Sequence, residues 1–346
     1  LTAQVIRGLI QKAGVEPADI EDVIVGCAFP EGEQGLNVAR LIGLLADLPI
    51  SVGGMTVNRF CGSSMSAVQI AMGQIAIGAG EAFICAGVES MSRVPMMGFN
   101  PLPNPELAKK SGAYMSMGET AENVAAKYQI GRAEQEAFAL ESQKRAAAAR
   151  DAGHFTDEIV PIQTKGGVVS EDGAIRAETT AEGLAGLKPA FDAAGSVTAG
   201  TSSPVTDGAA AVLVTTEDYA RAHGLPILAR IKSVSISGCA PETMGLGPIL
   251  SSQKTLQRAG IAVKDLSVVE LNEAFASQSL ACIRDLGLDP AKTNIDGGAI
   301  ALGHPLGATG AIRAATVVHA LRRKNLKYGM LTMCVGMGQG AAGIFE

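Results

Sequence analysis

Apolar positions along the chain alternate between helical spacing and short continuous runs, and the alternation predicts α/β units. A helical segment ends at Ala13-Gly14, a short turn follows, and the uninterrupted run Ile20 to Val25 reads as a buried strand. The same events recur later. Ile10-Gln11-Lys12-Ala13-Gly14-Val15, then Asp19-Ile20 and Val23, match Leu256-Gln257-Arg258-Ala259-Gly260-Ile261, then Asp265-Leu266 and Val269, at a constant offset of 246 positions. In the second copy the buried strand is Leu266 to Leu271. Each copy continues into a Gly-rich approach, a long small-residue helix and a strand: Ser63 to Gly78 with Ala82 to Ala86, and Gly307 to Leu321 with Tyr328 to Val335. The fold class expected is α/β, two similar α/β halves stacked on each other.

The second copy opens with Ile227 to Ile236, a good strand pattern, whose counterpart falls before Leu1. This predicts that the first half lacks one strand of its natural sheet and that the chain lacks its natural N-terminus. Residues 93–202 differ in character, with Pro101, Pro103 and Pro105, then helical stretches Glu119 to Tyr128 and Ala133 to Ala149, then polar loops. They read as an inserted loop or cap domain. The strand Ala209 to Thr215 then returns the chain to the first half. The organisation expected is 1–92 plus about 203–226, the insertion 93–202, and 227–346.

Composition narrows the function. Hydrophobic residues make up 47% and charged residues 18%, fewer charges than the ~25% of ordinary chains, so a homodimer or homotetramer is expected to bury the excess. Glycine supplies 42 of 346 residues and tryptophan none, which assigns the close packing to small side chains. A net charge of −6 and no basic block longer than Arg322-Arg323-Lys324 exclude a nucleic-acid surface. No apolar run reaches the ~18 residues of a membrane span, and the expected location is the cytoplasm. Six isolated cysteines without a C-x-x-C pair, and only four histidines, predict neither a metal site nor disulfides.

Three segments can carry chemistry. Asn58-Arg59-Phe60-Cys61-Gly62-Ser63-Ser64-Met65 places Cys61 at a helix start, where N–H groups and the helix dipole stabilise a thiolate, so a lowered thiol pKa is expected. His304 stands in the Gly/Pro turn of Gly297 to Gly307, ahead of a helix, whereas His154, His223 and His319 read as structural or solvated. Cys334 ends a buried strand that enters the Gly-rich loop Gly336-Met337-Gly338, where glycines let backbone N–H groups approach one oxygen. For Cys27, Cys85, Cys239 and Cys282 core packing is the expected role. Gly338-Gln339-Gly340-Ala341-Ala342-Gly343 fits G-x-G-x-x-G, but a dinucleotide site needs a following helix and an acidic residue about 20 positions on, and the sequence ends at Glu346. Two cysteines and a histidine in Gly-rich turns point to covalent acyl transfer, one thiol as nucleophile and the other moving a proton.

From Leu1 to Glu346 the chain resembles the thiolase family. The nucleophile segment around Cys61, the N-E-A-F turn Asn272-Glu273-Ala274-Phe275, the G-G-A-I-A-L-G-H-P block from Gly297, and the C-x-G-x-G loop Cys334 to Gly340 stand in the family's order. The resemblance implies that Cys61 is acylated and that His304 accepts its proton and helps bind the substrate thioester oxygen. Cys334 then shuttles the proton at the α carbon. Asn272 holds a water at one oxyanion site, and the N–H groups of Cys61 and Gly336 form the other. Met117, Arg176, Ser203 and Met244 match positions that contact coenzyme A, which is a substrate, so no permanently bound cofactor is implied.

Ser116, where acetoacetyl-specific thiolases usually carry His, and Gly338-Gln339-Gly340 favour degradative thiolysis of a 3-ketoacyl-CoA. The alternatives are a biosynthetic thiolase condensing two acetyl-CoA and a non-catalytic, thiolase-like acyl-CoA or lipid carrier. Cys334 argues against a decarboxylating ketosynthase, which has His there. The family's first strand, absent here, is expected in the middle of the N-terminal sheet.

Overall fold

The computed structural model describes residues 1–346. The first half runs α1 (Thr2–Ala13), β1 (Asp22–Gly26), α2 (Val38–Leu45), β2 (Gly53–Val57), α3 (Ser63–Ala76) and β3 (Ala82–Ser90). The insertion holds α4 (Pro105–Lys110), α5 (Met117–Tyr128), α6 (Arg132–Asp151), a small hairpin of β4 (Ile162–Thr164) and β5 (Gly167–Val169), and α7 (Ala181–Ala185). Then come β6 (Asp207–Thr215) and α8 (Glu217–Ala222). The second half runs β7 (Ile231–Gly238), α9 (Gly247–Ala259), β8 (Val268–Leu271), α10 (Ala276–Leu286), α11 (Ala299–Leu302), α12 (Thr309–Arg323), β9 (Gly329–Val335) and β10 (Gln339–Phe345). No helix is long and apolar enough to cross a membrane.

The internal repeat has a structural cause at each step. Gly14 and Gly260 end α1 and α9 in the left-handed region, at φ 72° and 69°, a conformation without penalty only for glycine. Each is followed by one 3-10 turn and then a strand buried along nearly its whole length, β1 or β8. The sheets have the orders β2-β1-β3-β6 and β7-β10-β9-β8. In both, parallel neighbours (β1 with β3, β8 with β9) are followed by an antiparallel strand, β6 or β10. One difference matters: β9 turns into β10 through three residues, whereas β3 reaches β6 only after the insertion.

The expectation of a missing central strand is corrected by this topology. β7 pairs with β10 alone and is therefore an edge strand. Its equivalent position in the first half is the free edge of β6, beside a groove of about 1520 Å³ lined by Val5, Leu9, Leu213, Ile312 and Phe345 among others. No inner strand of the first sheet is missing. β1, β3 and β6 are continuously hydrogen-bonded.

Helices α3 and α12 pack on each other between the two sheets, α1 and α2 cover the outside of the first sheet, and α9 and α10 that of the second. A helix between two sheets is apolar on more than one side, which is why α3 and α12 are rich in small residues rather than amphipathic. The approach is close. A Cβ on Gly310 of α12 would lie 2.3 Å from the Met65 nitrogen of α3, and one on Gly26 would lie 2.4 Å from the Ser64 nitrogen. The N-termini of both helices thereby meet the C-terminal ends of the parallel strands, the place where open α/β sheets bind ligands. The insertion rests on α10 through α5 and α6.

Candidate active site

Cys61 lies in a single 3-10 turn, Phe60–Gly62, just ahead of α3. Phe60 is held at φ 42°, a left-handed conformation costing a non-glycine residue about 1 kcal/mol or more. Asn58 Oδ1 accepts the Phe60 N–H at 2.8 Å, and Ser63 Oγ donates to the Phe60 carbonyl at 2.6 Å, so the strain is fixed locally. The turn packs against the end of β9, where a Cβ on Gly62 would lie 2.9 Å from Val335 Cγ2. The Cys61 sulfur then faces the backbone N–H of Gly336 and its own N–H.

His304 precedes α12, with its own N–H bonded to Thr206 Oγ1 at 3.1 Å. Its ring is clasped at both nitrogens: Nδ1 lies 2.7 Å from Thr309 Oγ1, and Nε2 lies 3.4 Å from Asn272 Nδ2. Because an amide nitrogen only donates, Nε2 is the lone-pair nitrogen and Nδ1–H is given to Thr309. Asn272 follows β8, tied by its N–H to the Thr332 carbonyl of β9 at 2.9 Å. No protein group reaches its buried Oδ1.

Burial sets the protonation states. The Cys61 thiol is pushed up to about 12 by burial, against which the N–H groups of Gly336 and Cys61 act, with Glu89 adding to the rise. The expected lowering at a helix start is thus overturned: desolvation of a thiol 6% exposed outweighs the N–H groups of one short turn. Burial, and then the positive charge of Arg313, lowers His304 to about 3. Burial also holds Cys334 well above its ordinary value, and charge on Cys61 adds to this. The resting site therefore contains neutral thiols and a neutral imidazole.

Met117 and Met244 join the same centre, packing with Cys334, Ala274 and Phe275. A Cβ on Gly336 would lie 3.8 Å from Met117 Sδ. Ser203 is one step away, its N–H on the Ala274 carbonyl at 3.0 Å. Arg176 stands apart. It is exposed, and it lines a separate cleft of about 240 Å³ with Gln143, Ser202 and Ile300. Ser116 caps α5 through a reciprocal pair with Glu119.

Several contributors carry no local motif. Glu273 is buried, and its carboxylate accepts from Ser142 Oγ at 2.7 Å, Asn294 Nδ2 at 2.7 Å and the Ile300 N–H at 3.2 Å, tying the N-E-A-F turn to α6 and to the block before His304. A Cβ on Gly298 would lie 1.9 Å from that carboxylate. Thr309 is signalled only by its place at a helix start five residues after His304. Glu89 is a lone carboxylate in the otherwise apolar run of β3, and that contrast is its sequence signal.

Residues 1–218 match the family description "Thiolase, N-terminal domain", and residues 225–346 match "Thiolase, C-terminal domain". The chain is 46% identical over 360 residues to a 3-ketoacyl-CoA thiolase of Bacillus subtilis (strain 168), covering 100% of this chain and 92% of the relative. It is 48% identical over 359 residues to a 3-ketoacyl-CoA thiolase of Shewanella denitrificans, with the same coverage. The crystal structure of human mitochondrial 3-ketoacyl-CoA thiolase in complex with CoA superimposes with a TM-score of 0.92 at 38% identity, over 100% of this chain and 91% of that one. With both domain descriptions met along nearly its whole length and the fold shared, the chain belongs to the thiolase family.

Proposed function

We propose that the protein is an acetyl-CoA C-acyltransferase that cleaves 3-ketoacyl-CoA with CoA, giving acetyl-CoA and an acyl-CoA shortened by two carbons. The observation that carries this reading is the Cys61 sulfur facing the Gly336 N–H, with Cys334 two residues before that glycine and the lone-pair nitrogen of His304 beside Asn272. Cys61 attacks the 3-keto carbon while its proton passes to His304 Nε2. The N–H groups of Cys61 and Gly336 receive the alkoxide charge. The bond between C2 and C3 then breaks, leaving the acyl group on Cys61 and an acetyl-CoA enolate whose oxygen is held by His304 and by water on Asn272. The Cys334 thiol protonates the enolate carbon. In the second stage the Cys334 thiolate takes the proton of incoming CoA, whose sulfur attacks the thioester, and Cys61 leaves as a thiolate that takes its proton back from His304.

Neutral resting groups suit this order, since His304 must be unprotonated to accept the first proton and Cys334 protonated to give the second. Met117, Arg176, Ser203 and Met244 hold CoA between the cap, 93–202, and the two halves, 1–92 with 203–226 and 227–346. CoA comes and goes as substrate, and no permanent cofactor takes part. The Gly338-Gln339-Gly340 turn and Ser116 favour degradative work in fatty-acid breakdown, and the protein acts as a cytoplasmic homo-oligomer.

Mass mapping of the protein after incubation with acyl-CoA tests the assignment. The acyl group is expected on the Cys61 peptide, and Cys334→Ala is expected to accumulate that thioester while thiolysis falls at least a hundredfold. A thioester on Cys334 or Cys85, or full thiolysis in Cys334→Ala, would reverse the roles.

A further inference from the structure

Glu89, near the end of β3, is 1% exposed. Its Oε2 accepts the Ala28 N–H at 2.8 Å and the Gly307 N–H at 2.9 Å. Its Oε1 accepts the Phe29 N–H at 3.3 Å and Gln34 Nε2 at 2.6 Å. These partners come from both halves of the molecule. Ala28 and Phe29 follow β1. The Ala28 carbonyl accepts Asn58 Nδ2 at 2.9 Å, and Asn58 in turn fixes the strained N–H of Phe60 next to Cys61. Gly307 lies three residues after His304, in a turn so tight that a Cβ there would meet the Gly26 and Val88 carbonyl oxygens at 2.7 Å.

We propose that Glu89 is a positioning residue for acyl transfer: one carboxylate ties the loop that braces the Cys61 turn to the turn that carries His304. The inference rests on the reading of Cys61 as nucleophile and His304 as base. Four N–H donors on one buried carboxylate stabilise its ionised form against the desolvation that raises its pKa. An amide is a poor substitute. It keeps one acceptor oxygen and turns an NH2 group towards the Phe29 N–H or Gln34, and Gln34 is held in place because its Oε1 accepts the Ser90 N–H at 2.8 Å. Neither Arg176 nor Ser203, proposed above to hold CoA, is among the hydrogen-bond partners of Glu89, so its loss should misalign nucleophile and base without weakening substrate binding.

Single-turnover acylation by a 3-ketoacyl-CoA, followed against substrate concentration with the full chain, tests this in Glu89→Gln beside the thermal midpoint. The expected result is a limiting acylation rate at least tenfold lower, a half-saturating concentration within twofold of the wild type, and a folded protein. An unchanged limiting rate overturns the proposal, and so does a fall matched by an equal rise in half-saturating concentration, the sign of general loosening. If Glu89→Gln does not fold, Glu89→Asp carries the same test, since it keeps the charge but cannot reach both Ala28 and Gly307. Acyl label on a cysteine other than Cys61 in the wild type sinks the underlying reading. Label on Cys61 with unaffected Glu89 variants sinks only this assignment.

Discussion

His304 shows how one buried side chain ties catalysis to stability. Its pKa is near 3 in the folded protein and about 6.5 when unfolded. Between those values the unfolded chain binds a proton that the native site refuses, so stability falls as pH drops below 6.5. By pH 5 the loss from this group is about 2 kcal/mol, at 1.36 kcal/mol for each pH unit. Glu158 and Glu270, raised to about 7 and about 8, slope the other way: their contribution is lost as pH rises through those values. They are common to wild type and variant and cancel in a comparison. His304→Asn should therefore lose less stability than wild type between pH 7 and pH 5 in denaturant titrations, and parallel losses would mean that the native imidazole protonates. Cys61, His304 and Cys334 could be singled out because each stands in a short Gly-rich stretch, whereas Asn272 has no glycine near it and came only from the resemblance of its N-E-A-F turn to the family. The raised pKa of Cys61 was not legible, since desolvation comes from Leu306, Val335 and Ala341, far away in sequence.

Among the elements, legibility depended on whether a segment packs by its side chains or by its backbone. Strands β1, β3 and β9 were readable as apolar runs. β10, from Gln339, overlaps the 338–343 match to G-x-G-x-x-G that the lack of a following helix had already set aside, and its small residues serve instead to admit α9. A Cβ on Gly340 would meet the Gly247 oxygen at 2.0 Å, and one on Gly247 would meet the Gln339 oxygen at the same distance. Strand β7 was recognised but misplaced, because periodicity reports burial and carries no information about which neighbour a strand pairs with. The crossing of α3 and α12 gives a test. Gly310→Ala puts a methyl group against main-chain atoms that cannot move aside, and should cost about 3 kcal/mol. Because the displaced α3 starts beside Cys61, acylation should slow as well. A variant with wild-type melting and wild-type acylation would show that the helices have room to separate.

At the scale of the whole molecule, the charge deficit of the composition reappears as an apolar surface. Helix α2 exposes Leu41, Leu44 and Leu45 beside β2, whose outer edge has no partner in the first sheet. Such an edge next to exposed leucines is ordinarily covered in a stable protein. Light scattering should give a mass of two or four times 35.3 kDa, and Leu44→Glu with Leu45→Glu should shift it towards one. A monomeric wild type would assign the leucines another role.

The insertion between β3 and β6 also sets the order in which the protein can be made. β9 and β10 pair as soon as their three-residue turn has been synthesised, but Ala82–Ser90 has no antiparallel partner until Asp207–Thr215 emerges from the ribosome. At about 5–20 residues per second, that wait is on the order of ten seconds. Throughout it the edge of this strand, apolar from Ala82 to Val88, stands open, at the stage when a nascent chain is most exposed to its neighbours and to chaperones.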